Sequence, residues 1–286
     1  MSSEPVENDA NAGDAQQEPE AQSSLPLATH VKAMLEDLRD AKTMTQAVTA
    51  MKIVEKFIDV LDSDKEREKA KTILELNGVS TIVVALWKWA VSQEFSMFAL
   101  ATLCDLVYLE EDTKRVIVDI GGVDTVLMAA KKHSLTDAAF GFDEEVNKEN
   151  ATAGAGAGGG GGFMGVAVKR SKPKLPTKAQ QSKDLPLKSN VVGLLGSLSF
   201  SDVSRVVVAN EDCTDFVMST MRQYPHHSHM QKWGCIYFFQ ISKDLEVKKM
   251  LEGKNIVTHL AKVVDNFRGS DPLVLEKAKP ALKLFL

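Results

Sequence analysis

The chain has 286 residues, 44% of them apolar, 26% charged and 6% aromatic, with a net charge of -5. That is length for one or two ordinary domains and apolar content for a buried core, so a wholly disordered chain is excluded. No run approaches the ~18 apolar residues of a membrane span, the acidic start is unlike a signal peptide, and three cysteines (Cys104, Cys213, Cys235) suit a reducing compartment better than a disulfide framework.

Residues 1–27 hold six acidic side chains and no basic one. They have too little to bury to offset their ordering entropy and are expected to form a disordered acidic tail. From Met44 to Leu61 the apolar residues Met44, Ala47, Val48, Met51, Val54, Ile58 and Leu61 follow a helical period. Ser63-Asp-Lys-Glu66 has the form of a capping box opening the next helix, which stops at Asn77-Gly78. Val79 to Ser92 repeats the pattern with Val79, Ile82, Val83, Leu86 and Ala90 on one face. Trp87 and Trp89 lie two apart there, so one should be buried and the other partly exposed. Further helices are predicted near 94–108, 112–120 and 123–133.

Residues 134–188 interrupt this pattern. An acidic stretch from Asp137 to Asn150 leads into a Gly/Ala tract from Ala151 to Gly165, then a basic, Pro-punctuated stretch from Val166 to Lys188. The whole is expected to be one long disordered insertion, with eight bases against six acids. Helices resume near 189–200, 202–209, 212–223, 228–241, 245–252 and 255–267. Asp271-Pro272 opens the last one as an N-cap followed by Pro at the first helical position. Pro280 is expected to kink or break it. The run Leu284-Phe285-Leu286 leaves an apolar end without a polar cap, which suggests packing on a partner or on a second copy, or a truncated sequence. No strand alternation survives more than four or five residues, so the chain reads as all-α.

The strongest signal is internal repetition. Leu76-Asn-Gly-Val-Ser-Thr-Ile-Val83 resembles Ile120-Gly-Gly-Val-Asp-Thr-Val-Leu127, with Val79 and Val123 44 residues apart. Cys213 and Ile256 mark a second matching pair 43 apart, and Ser197 and Gln240 a third, again 43 apart. Across the insertion, Val123 to Cys213 and Asp105 to Ser197 exceed one period by 47 and 49 residues. Two markers giving nearly the same excess place the insertion inside one repeat, not between two domains.

A period near 43 with three helices per unit resembles the armadillo repeat family. The resemblance rests on the turns Asn77-Gly78-Val79 and Gly121-Gly122-Val123, and on the third-helix endings Leu103-Cys-Asp-Leu106, Leu195-Gly-Ser-Leu198 and Phe238-Phe-Gln-Ile241. It covers about 70% of the chain. It implies a right-handed α-solenoid of about 4–5 three-helix armadillo-like repeats over 28–286, interrupted by 134–188; HEAT-like helical pairs are the near alternative. Gly78, Gly122 and Gly253 would then permit the left-handed turn between first and second helices.

The same resemblance places the third helices along a concave groove. Import adaptors of this family carry a Trp-x-x-x-Asn pair there. The Asn-like positions here are Asp105, Ser197, Gln240 and Lys283, and the Trp-like ones Ala101, Gly193, Ile236 and Lys279, so that ladder is absent. Lys232, Trp233 and Tyr237 share one third helix near this surface, where they either fill the stack or form a binding hot spot. The implied function is a non-catalytic scaffold or adaptor binding a protein or peptide through Lys232, Trp233, Tyr237, Gln240, Asp105 and Ser197.

Lys169, Arg170, Lys172 and Lys174 read as a nuclear-import signal, an acidic-partner contact or a plain soluble linker. A carrier whose working element is 166–188 is therefore an alternative, and the expected location is cytoplasmic, extending to the nucleus if the signal is read. Nucleic acid is disfavoured because the rest of the chain is near neutral. Gly154-Ala-Gly156-Ala-Gly-Gly159 has the letters of a phosphate loop without a strand before or a helix after it. His226-His227-x-His229 lacks metal-ligand spacing and reads as a solvated loop. No catalytic set, cofactor or metal is expected.

Overall fold

A computed structural model describes residues 26–58, 64–133 and 178–286, with side chains from 183 in the last segment. The described residues form fourteen helices and no strand. They are α1 (Leu27–Asp40), α2 (Met44–Phe57), α3 (Asp64–Glu75), α4 (Gly78–Trp89), α5 (Gln93–Leu109), α6 (Asp112–Asp119), α7 (Gly122–Lys132), α8 (Lys178–Leu198), α9 (Asp202–Val208), α10 (Glu211–Gln223), α11 (Ser228–Ile241), α12 (Leu245–Gly253), α13 (Ile256–Phe267) and α14 (Pro272–Lys283). No single helix among them is long and apolar enough to cross a membrane.

Local sequence sets these boundaries. Thr43 caps α2 in a reciprocal box with Gln46. Ser92 caps α5 through Phe95 N, and Asn210 caps α10 through Cys213 N. Asp271 accepts from Leu273 N and Val274 N while Pro272 takes the first helical position, as expected. Each cap satisfies backbone donors that the first helical turn leaves unpaired. The expected box at Ser63 lies outside the described residues.

The turns before α4 and α7 differ from expectation. The left-handed residue is Asn77 before α4 and Gly121 before α7, not Gly78 or Gly122, and before α13 it is Asn255, not Gly253. Gly78 and Gly122 are needed for another reason. A Cβ on Gly78 would lie 2.8 Å from Ile73 O, and one on Gly122 2.7 Å from Ile117 O. Glycine here lets one helix start against the backbone of the helix before it. Gly253 ends α12 with nothing near it and has no such role.

Apolar side chains at helical spacing, such as Ile256, Leu260, Val263 and Phe267 on α13, are buried. They belong to one contiguous core that runs from Val31 on α1 to Ala281 on α14. The contacts follow chain order: α2 packs on α5, α5 on α8, α8 on α11, and α11 on α14. α1, α4 and α7 pack successively beside them, and α9 packs on α6. The register of α5 on α8 is fixed by polar bonds. Gln93 Nε2 donates to Lys183 O at 2.8 Å, Cys104 Sγ to Asn190 O at 3.2 Å, and Asn190 Nδ2 to Met97 O at 3.4 Å.

Three boundaries differ from the sequence reading. α1 is an additional helix. α8 begins at Lys178, eleven residues before the expected helix start at 189, and buries Asp184, Leu187, Lys188 and Ser189. It continues through Pro186, and α14 likewise continues through Pro280 to Lys283, where a kink or break was expected.

Candidate partner-binding face

Asp105, Ser197 and Gln240 lie on α5, α8 and α11, three helices that touch in sequence. Their environments differ. Asp105 is half-buried, and burial, with Glu55 of α2 adding repulsion, pushes its carboxyl up to about 6. Each effect disfavours the charged form, and no base offsets them. Glu55 was not legible as its neighbour, because the two are 50 residues apart in sequence and meet only when α2 lies on α5. Ser197 is half-buried. Gln240 is only 8% exposed, and its Oε1 has no hydrogen-bond partner.

Tyr237 corrects the expectation most sharply. It is fully buried at 0% exposure, and its hydroxyl donates to Val208 O at 2.7 Å and lies 3.3 Å from Thr214 Oγ1. Burial holds its phenol well above the usual value. Tyr237 therefore ties α11 to the ends of α9 and α10 and offers no surface to a partner. Gln240 is withdrawn from the surface for a similar reason: packing of α11 buries its face.

Lys232 and Trp233 remain accessible in part. Lys232 Nζ lies 5.8 Å from the Trp233 ring centroid. Trp233 packs its inner edge on α8 at Gly196, where a Cβ would come within 2.9 Å of the ring and 3.1 Å of Trp233 O. Its Nε1 donates to His229 Nε2 at 3.0 Å. The i,i+4 spacing of His229 and Trp233 was visible in the sequence, but the α8 contact that completes the arrangement was not. Tyr108, 60% exposed, lies one turn beyond Asp105 on α5. Trp87 is 64% exposed on α4 and Trp89 is only half-buried against the core, so the two differ in exposure but neither is buried as expected.

The histidines are not a plain solvated loop. His227 caps α11 through a bond from Met230 N to its Nδ1, and His229 bonds both Ser189 and Trp233. Among the described residues no group of three or more His, Cys, Asp or Glu side chains could hold a metal ion. Burial pushes the Cys213 and Cys235 thiols up to about 12 and raises Cys104 as well, so none is a thiolate at neutral pH. Lys169, Arg170, Lys172 and Lys174 lie outside the described residues.

No family model matches the chain, and no curated protein matches it. Two crystal structures of engineered proteins from the Northeast Structural Genomics Consortium are similar in backbone. One has a TM-score of 0.49 at 14% identity, covering 90% of this chain and 96% of its own. The other has a TM-score of 0.48 at 11% identity, covering 89% and 98%. Likeness at this level carries nothing about function.

Proposed function

We propose that the chain is a right-handed α-solenoid of about 4–5 armadillo-like units and serves as a non-catalytic scaffold or adaptor that binds another protein. One observation carries the reading. The helices α2, α5, α8, α11 and α14 touch in chain order, and the sequence markers on α8 and α11 recur at 43 residues. A three-helix unit cannot bury its own apolar face, so neighbouring units share one core and leave an extended surface for a ligand.

The face bearing Asp105, Tyr108, Ser197, Lys232 and Trp233 is the proposed binding surface. An aromatic with a cation beside it concentrates interface energy. Asp105 keeps a carboxyl in a setting that resists its charge, which a basic group on the partner would relieve.

The test is affinity capture with mass spectrometry, comparing the full chain with Lys232→Ala/Trp233→Ala and with a chain whose residues 166–177 are replaced by a neutral linker. A partner lost only from the first variant, with its helical circular dichroism intact, supports the reading. A partner lost only from the second moves the work to the basic segment and overturns it.

A further inference from the structure

His229 stands at the start of α11 with both ring nitrogens engaged. Trp233 Nε1 donates to its Nε2 at 3.0 Å, and its Nδ1 lies 3.0 Å from Ser189 Oγ on α8. An indole N–H can only donate, having no lone pair to accept with. Nε2 must therefore be the bare nitrogen, and the proton of the neutral ring sits on Nδ1, facing the Ser189 hydroxyl. The seat is close on the other side too. Gly193 would set a Cβ 3.6 Å from the imidazole Cε1, and Gly196 would set one 2.9 Å from the indole Cε3. The Trp233 ring thus lies on a glycine surface of α8, and its Nε1 is tied by one hydrogen bond to His229, which is itself bonded to α8 through Ser189 and can be protonated.

We propose that His229 is a proton-operated latch on Trp233. A proton added to Nε2 sets two donors face to face, breaks the 3.0 Å bond and frees the indole edge from its fixed position against α8. The charged groups around the ring act in one direction. On α11 itself, Lys232 and His227 both oppose a positive imidazole. From α8 the facing group is the uncharged Ser189, and Lys188 beside it is turned to Gln223 on α10, 2.8 Å away. Asp271, ahead of α14, is bonded to Ser228 and to the first turn of its own helix and faces Lys232. Partial burial, then Lys232 and His227, hold His229 below the ordinary histidine value of 6.5. The latch is therefore closed at neutral pH and opens only as the pH falls below 6.5. Its bearing on binding rests on the scaffold reading: a partner seated on Trp233 meets one arrangement with His229 neutral and another once it is protonated.

The experiment uses the full chain labelled with 15N-tryptophan, which gives indole N–H resonances for Trp87, Trp89 and Trp233, assigned with single Trp→Phe variants. Between pH 7.5 and 5 the Trp233 resonance is expected to move along a one-proton curve with a midpoint below 6.5, while that of the exposed Trp87 stays in place. His229→Gln, whose carboxamide oxygen can accept the same bond at every pH, should hold the resonance still. His229→Ala should show the acid position already at pH 7.5, where the fold is not under acid stress. A Trp233 resonance that stays fixed with pH in the folded wild type overturns the proposal. So does one in His229→Ala that matches wild type at pH 7.5. Neither readout needs a partner, so failure of the latch and failure of the scaffold reading are separate results.

Discussion

The amino half, α1 to α7 with the seam onto α8, and the carboxyl half, α8 to α14, answer to pH in opposite directions. In the amino half the groups perturbed on the acid side of neutrality are carboxyls. Asp105 is pushed up to about 6 by burial and by Glu55, and Asp184, at the α5–α8 seam, is raised by burial that outweighs Lys188 and His133. In the carboxyl half the groups that burial lowers and acid charges are histidines. His259 on α13 is pushed down to about 4 by burial and by Arg222 and Lys262, and His227 and His229 are lowered as well. A carboxyl raised on folding weakens the fold as pH rises from its unfolded value through its folded one; acidification below about 6 relieves that at Asp105. A histidine lowered on folding supports the fold fully above about 6.5, and that support is lost as pH falls towards 4. One continuous core therefore joins two parts that acid pulls apart in stability.

The largest expected effect tests that contrast directly. Between pH 7 and pH 4, charging His259 should remove about 3 kcal/mol from the carboxyl half, at roughly 1.4 kcal/mol per tenfold change in proton affinity. Hydrogen exchange corrected for intrinsic rates should show α10 and α13 losing protection while α2 and α5 keep theirs. Uniform loss across both halves would break the comparison. Next is Gly196→Ala, which forces a methyl against Trp233 O and should cost about 2 kcal/mol in a urea melt. Gly193→Ala meets only an ordinary 3.6 Å contact and should cost less, so equal losses would remove the case for close packing at Gly196. Tyr237→Phe leaves Val208 O without its donor and should cost about 1 kcal/mol. Asp105→Asn is the smallest and has the opposite sign. It should raise stability at pH 7 by on the order of 1 kcal/mol after allowing for water screening, and by less at pH 5. A gain equal at both pH values would mean that charge is not its cause.

Much of the helical order was legible because caps and apolar spacing are local. The α11 limits, 228 and 241, and the Asp271-Pro272 start fall where the sequence put them. α1 carries an equally clear set, Val31, Met34, Leu35 and Leu38, that needed only the same spacing argument. The start of α8 was hidden for a physical reason. Lys178 to Lys188 is polar and contains Pro186, so propensity argues against a helix, and packing of Leu187 and Asp184 overrides it. The site was legible only at its accessible members. Spacing put Tyr237 beside Trp233, but its burial depends on Val208 lying across from it, a contact 29 residues away in the chain.

The join between α7 and α8 has a practical consequence. α8 is held by side-chain contacts with α5, α7 and α11, so its seat depends little on the covalent path between His133 and Lys178. Made as two polypeptides divided in that stretch, the protein is expected to reassemble through the contacts of α8 with α5 and α7, which co-purification of the two pieces would check.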